Sequence, residues 1–181
     1  EPLQALADNF PDAAPDLLIG GGGRDLARFA DGPSIVSLAT GLSAAGDTLS
    51  GIEDLSGSDG DDWLEGDAAG NRLIGGGGAD TLLGGAGDDT LEGGAGFDSM
   101  VGGDGIDLAR FGDADAGVVV VQAGGDSAPL GAVIDGVEQV DGSAFADWIE
   151  GGAGGVTLAG ADGDDTLIGG DGIDSLVGGA G

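Results

Sequence analysis

At 181 residues, with 34 acidic side chains against 4 basic ones and a formal charge of −30, the chain repels nucleic acid and anionic membrane surfaces and favours cations as its counterpart. Cysteine, histidine and lysine are absent, which removes thiolate and imidazole metal sites, the usual acyl-transfer sets and Schiff-base chemistry. No apolar run approaches the roughly 20 residues of a membrane helix, and 44 glycines against 5 prolines would read as flexible low-complexity chain if they were not periodic.

The period is nine residues: a glycine-rich turn, an acid at the sixth place and an aliphatic at the eighth. Residues 1–28 are eroded repeats, with Asp16 and Asp25 at the sixth places of blocks 11–19 and 20–28. Residues 29–56 form a non-repeat β segment with a β-prone run at 35–38, closing on TLSGIEDLS, which brings Glu53 to the sixth place. The first full array, 57–110, reads GSDGDDWLE, GDAAGNRLI, GGGGADTLL, GGAGDDTLE, GGAGFDSMV and GGDGIDLAR. Its sixth places hold Asp62, Asn71, Asp80, Asp89, Asp98 and Asp107; its eighth places hold Leu64, Leu73, Leu82, Leu91, Met100 and Ala109. Residues 111–141 are a second non-repeat β segment, with a β-prone run at 118–121 and VIDGVEQVD placing Glu138 sixth. The second array, 142–181, has Asp147, Val156, Asp165 and Asp174 at its sixth places and is truncated inside a further GGAG turn. GGGGRDLARF at 20–29 returns as GGDGIDLARF at 102–111, and DWLEG at 62–66 returns as DWIEG at 147–151. The chain therefore reads as a tandem duplication forming one elongated unit, a window of a longer polypeptide with further repeats or another domain beyond it.

No segment has a 3.6-residue apolar period, and each interior glycine costs a helix about 1 kcal/mol. Each block instead offers about six turn residues and three strand residues with one inward aliphatic, too short to stand alone. Parallel stacking pools those aliphatics into one thin core. If successive blocks lie on opposite sheets, equivalent acids stack every 18 residues: Asp62, Asp80 and Asp98 on one edge, and Glu53, Asn71, Asp89 and Asp107 on the other. Carboxylates about 5 Å apart repel by roughly 3 kcal/mol per pair at an effective dielectric near 20. A hard divalent ion reverses that sign, and oxygen-only donors in tolerant geometry fit calcium better than magnesium, zinc or copper.

The GGxGxD-x-aliphatic-x pattern resembles the RTX, or hemolysin-type, calcium-binding nonapeptide repeats. The resemblance is close over 57–110 and 142–181, loose over 11–28 and absent at 30–47 and 112–132. It implies an all-β, right-handed parallel β-roll, a β-helix-like solenoid with several Ca2+ ions bound in the Gly/Asp-rich turns. It implies sites between Asp62 and Asp80, Asp80 and Asp98, Asn71 and Asp89, Asp89 and Asp107, and Asp147 and Asp165, with Asp174 as a further ligand. Turn carbonyls would join them from Gly57, Gly60, Gly75, Gly76, Gly78, Gly84, Gly85 and Gly87. The same applies to Gly93, Gly94, Gly96, Gly102, Gly103, Gly105, Gly160 and Gly163. Val156 offers no oxygen side chain and breaks its edge, Asn71 is neutral and weakens its site, and Asp165 lacks a following acid.

The resemblance also implies a secreted, extracellular or cell-surface segment, exported by type I secretion from a Gram-negative bacterium and folding on calcium outside the cell. Its role is then structural or adhesive and not enzymatic, with self-assembly or an extracellular polysaccharide as further partners. The alternative is an accessory module of an extracellular protease, lipase or alginate epimerase. Asp59, Asp61, Asp88, Asp104, Asp162, Asp164 and Asp171, at third and fifth places, read as a solvated face. Trp63 and Trp148 should point outward. Phe29 and Phe111 should cover the roll where the nonapeptide stops, and Arg24, Arg28, Arg72 and Arg110 should pair with local carboxylates.

Overall fold

A three-residue strand buries too little to persist alone, and the chain meets that limit by stacking strand on strand. The computed structural model describes residues 5–8, 15–29, 32–122 and 133–181; the start of the eroded block at 11–19 and much of the second non-repeat stretch lie outside them. Twenty strands and no helix occur among the described residues.

In chain order the first part holds β1 (Ala5–Asp8), β2 (Leu17–Ile19), β3 (Leu26–Phe29), β4 (Ile35–Ser37), β5 (Leu42–Ser43), β6 (Thr48–Ser50) and β7 (Asp54–Ser56). The first array supplies β8 (Trp63–Glu65), β9 (Arg72–Gly78), β10 (Thr81–Ala86), β11 (Thr90–Gly96), β12 (Ser99–Asp104) and β13 (Leu108–Arg110). Beyond it lie β14 (Val119–Val121), β15 (Val133–Asp135), β16 (Gln139–Asp141), β17 (Trp148–Glu150), β18 (Thr157–Ala159), β19 (Thr166–Ile168) and β20 (Ser175–Val177).

One sheet runs β1-β3-β7-β9-β11-β13-β16-β18-β20, a second runs β15-β12-β10-β8-β4-β5-β6-β2, and a third runs β14-β17-β19. Through both arrays successive strands alternate between the first sheet and the one opposite, so two blocks make one coil of a parallel β-roll. Leu55, Leu73, Leu91 and Ala109 fall in register on the first sheet, and Leu64, Leu82 and Met100 on the second. All seven are fully buried and belong to one hydrophobic cluster, so the two sheets face each other across the eighth places. Each such leucine stabilises the roll by about 1.5–3 kcal/mol. In the first array four strands run longer than three residues, because the turns also pair in register: Gly76 with Gly94, and Gly85 with Gly103.

The non-repeat stretches are longer coils of the same roll. In the first, β4 pairs parallel with β8 and β6 parallel with β2, while the short β5 runs antiparallel between them. In the second, β14 pairs with β17 and β15 with β12. The equivalence extends the sequence duplication to the strand pairing. The chain then returns to the first sheet through only three residues, Gly51, Ile52 and Glu53 in one copy and Gly136, Val137 and Glu138 in the other. Ile52 and Val137 are buried there, joining the core where the ordinary turn has glycine or an exposed residue. Phe29 and Phe111 are buried in the same cluster.

Candidate metal centres on the turn edges

Every sixth-place acid stands immediately before its strand, so the strand register stacks the acids along two edges. At Asp80, Asp89, Asp98, Asp107, Asp165 and Asp174 one carboxylate oxygen accepts the backbone N–H of the sixth-place residue one coil earlier. The bonds run from Asp62 N to Asp80 Oδ1 (2.8 Å), Asp80 N to Asp98 Oδ1 (3.0 Å), Asn71 N to Asp89 Oδ1 (2.7 Å) and Asp89 N to Asp107 Oδ1 (2.8 Å). The second array repeats them from Asp147 N to Asp165 Oδ1 (2.9 Å) and from Val156 N to Asp174 Oδ1 (3.1 Å). A hydrogen bond to a charged acceptor is worth about 1.5–3 kcal/mol, so these acids order the edges before any ion is considered.

The second oxygen separates the turns into two kinds. Oδ2 of Asp25, Asp80, Asp89, Asp107 and Asp165 is buried with no hydrogen-bond partner. Each lies against the first glycine of its own turn and the carbonyl of the coil above. A Cβ on Gly75 would collide with Asp80 Oδ2 and the Gly93 carbonyl, and one on Gly84 with Asp89 Oδ2 and the Gly102 carbonyl. On Gly160 it would meet Asp165 Oδ2 and the Gly178 carbonyl. Several oxygens and no donor therefore share one small space, an arrangement that costs free energy unless something positive enters it.

Asp62, Asn71 and Asp147 are different. Ser58 N–H donates to Asp62 Oδ2 (2.7 Å), Asp67 N–H to Asn71 Oδ1 (2.8 Å) and Ser143 N–H to Asp147 Oδ2 (2.7 Å). The Ser143 hydroxyl adds a bond to Asp147 Oδ1 (2.7 Å), and Asn71 Nδ2 donates to the Glu53 carbonyl (2.8 Å). The second place of the turn decides between the kinds. Where it is glycine the backbone sits at positive φ, +119° at Gly76, +110° at Gly85 and +113° at Gly103, and its N–H makes no such bond. Ala161, at the second place of the Asp165 turn, is forced to φ +73°, the one non-glycine residue at positive φ among those described. That conformation costs an alanine about 1–2 kcal/mol.

At the broken edge position Val156 presents a methyl group to Gly151 where other turns present oxygen. Among the described residues no three acidic side chains converge on one point. An ion on these edges must therefore draw one carboxylate from each of two successive turns and complete its shell with backbone carbonyls, which suits a hard cation of tolerant geometry.

Burial, with the neighbouring acids adding to it, pushes the carboxyls of Asp80 and Asp89 up to about 6; Asp98 and Asp107 are also raised, again chiefly by burial, with the charge of Glu138 adding at Asp107. A raised carboxyl makes the folded chain the tighter proton binder. Its contribution to metal-free stability is complete below the ordinary value of 3.8 and lost as pH rises through about 6. In chelator, the β circular dichroism signal is expected to grow as pH falls from 7 to 4, and calcium affinity to fall over the same window. A β signal insensitive to pH would contradict the burial of these carboxylates.

Two kinds of charge fall outside the sixth places. Two of the fifth-place acids, expected to be merely solvated, are exposed but bridge coils: Asp61 accepts Ala79 N–H (2.8 Å) and Asp88 accepts Ile106 N–H (3.0 Å). The arginines form a second column on the first sheet. Arg24 pairs with buried Asp54 (2.7 Å), Arg72 and Arg110 flank buried Glu92 (2.8 and 3.4 Å), and Arg110 also reaches Asp141 (3.5 Å). Arg28, expected to pair likewise, makes no ion pair among the described residues. Trp63 is half-buried and Trp148 is exposed, both at the outward seventh place.

A parallel roll whose turn edges gather buried, donor-less carboxylates defines a cation-organised solenoid. Residues 47–82, 74–109, 135–155, 141–176 and 159–181 match the family described as RTX calcium-binding nonapeptide repeat (4 copies), covering more than half of the chain. The chain belongs to that family. A search of curated proteins gives no match.

Proposed function

We propose that this chain is a calcium-binding β-roll segment of a secreted bacterial protein, largely unfolded without the ion and folding when it meets calcium outside the cell, with a structural or adhesive role and no catalysis of its own. The reading is carried by the buried Oδ2 atoms that lack donors and face stacked carbonyls.

The pairs Asp80 with Asp98 and Asp89 with Asp107 are the strongest sites, since each has an open oxygen below and a full acid above. The pairs beginning at Asp62, Asn71 and Asp147 bind more weakly, because their first residue is already saturated by the turn. Bound calcium supplies positive charge and a flexible oxygen shell of six to eight ligands. The residues themselves set the spacing: the aliphatics fix the strand register, and the register fixes the carboxylates. One aliphatic per nine residues is thin burial against the ordering of so many glycines, so metal binding free energy becomes folding free energy.

Circular dichroism of the chain in calcium, then in excess chelator, tests the coupling. The β signal is expected to collapse on chelation at pH 7 and return on adding calcium in excess. A chelated chain that keeps its full signal would refute the proposal.

A further inference from the structure

Among the described residues, the five buried carboxylate oxygens without donors do not all fall in nonapeptide pairs. Those of Asp80 and Asp89 do, and that of Asp165 faces a turn with no acid after it. The remaining two, on Asp25 and Asp107, face the three-residue return turns that close the longer coils. These turns have no GGxGxD pattern, and only the acids at their sixth places, Glu138 and Glu53, tie them to the repeat.

The surroundings of the two oxygens are nevertheless built alike. Asp107 is completely buried and Asp25 nearly so. A Cβ on Gly102 would collide with Asp107 Oδ2 and the Gly136 carbonyl; a Cβ on Gly20 would collide with Asp25 Oδ2 and the Gly51 carbonyl. Glu138 Oε2 accepts Asp107 N–H (3.0 Å), and Glu53 Oε2 accepts Asp25 N–H (2.8 Å), the bond that an aspartate makes elsewhere on the edge. The backbone reciprocates: Asp107 O accepts Glu138 and Gln139 N–H (3.2 and 2.9 Å), and Asp25 O accepts Glu53 and Asp54 N–H (3.1 and 3.0 Å). The shorter turn is matched by a side chain one methylene longer, so the carboxylate still reaches the edge.

The geometry points to two further divalent-cation sites, one between Asp107 and Glu138 with the Gly136 carbonyl, the other between Asp25 and Glu53 with the Gly51 carbonyl. They rest on the calcium reading of the same edge, with a nonapeptide turn on one side only. Their place gives them a distinct role. Each fastens the return turn of a longer coil to the GGxGxD turn before it, so the non-repeat segments are held by the same ion that orders the repeats.

Two measurements on the full chain test this. Native mass spectrometry in saturating calcium is expected to show one ion fewer in Glu138→Gln and one fewer in Glu53→Gln than in the parent. Glutamine keeps the acceptor for the backbone N–H and removes only the charge. An unchanged ion count in both folded variants would overturn the inference. Should a variant fail to fold, crystals of the parent grown with terbium decide by anomalous scattering. Peaks beside Asp107 Oδ2 and Asp25 Oδ2 are expected. Peaks only between Asp80 and Asp98 and between Asp89 and Asp107 would sink the two additional sites alone, and no peak on either edge would sink the calcium reading with them.

Discussion

Replacing Asp107 by alanine is expected to destabilise the calcium-loaded roll by roughly 3–5 kcal/mol, the range for removing one partner from a buried charge cluster. Asp107 stands between two successive pairs on its edge and is completely buried. Its Oδ1 holds the Asp89 N–H at 2.8 Å, its Oδ2 lies beside the Gly136 carbonyl, and its own N–H donates to Glu138 Oε2 at 3.0 Å. The substitution therefore strips an acid from two successive cation pairs and leaves a buried N–H without an acceptor, itself a cost of about 1–3 kcal/mol. Urea unfolding in saturating calcium reads the loss as a fall in midpoint, and calcium titration reads it as a higher midpoint for folding. Asp104→Ala is the matched control: its exposed side chain sits on the same turn, and a surface change of that kind stays within about 0.5 kcal/mol. Equal effects at the two positions would mean that net charge, not site geometry, governs the roll.

The sixth and eighth places show how a strict period makes a fold legible. Strand register can only align equal residues of equal blocks, so Leu64 had to meet Leu82, and Asp80 had to meet Asp98. What the period could not convey is how one turn differs from another. Ser58 and Ser143 look like tolerated replacements for glycine, yet as L-residues they avoid positive φ and turn their N–H groups onto Asp62 and Asp147. The signal was in the sequence, since both open an array and both stand second, but only backbone geometry gives it meaning. The antiparallel β5 had no such signal: Leu42–Ser43 is too short for alternation to be seen. Likewise TLSGIEDLS and VIDGVEQVD resemble damaged blocks, whereas they are two strands joined by a tight return, with buried Ile52 and Val137 taking over the packing. Among the described residues Arg28 finds no carboxylate, for a related reason. It lies at a ninth place on β3, and its neighbour in register on β7 is Ser56, which carries no charge.

Turn stacking itself is open to a direct measurement. Gly94→Ala is expected to cost about 2–5 kcal/mol, and Gly21→Ala only about 1–2 kcal/mol, although both glycines hold the second place of a turn at similar positive φ, +97° and +105°. The shared part is conformational, since an alanine there pays about 1–2 kcal/mol. The difference is steric. A Cβ on Gly94 would run into the Gly76 carbonyl oxygen and lie 2.9 Å from its carbon and 3.2 Å from its Cα, all backbone of the coil below, while a Cβ on Gly21 has nothing within 4 Å. Backbone held in register by parallel strands cannot step aside as a side chain can, so overpacking adds a further 1–3 kcal/mol or so. Relief would come only by widening the gap between coils, which also parts Asp80 from Asp98. Gly94→Ala should therefore lose calcium affinity together with stability, and Gly21→Ala should keep its affinity at the Asp80 and Asp98 pair. Were the two variants equally stable and equally avid in calcium titrations followed by circular dichroism, close contact between successive turns would not be what positions the acids.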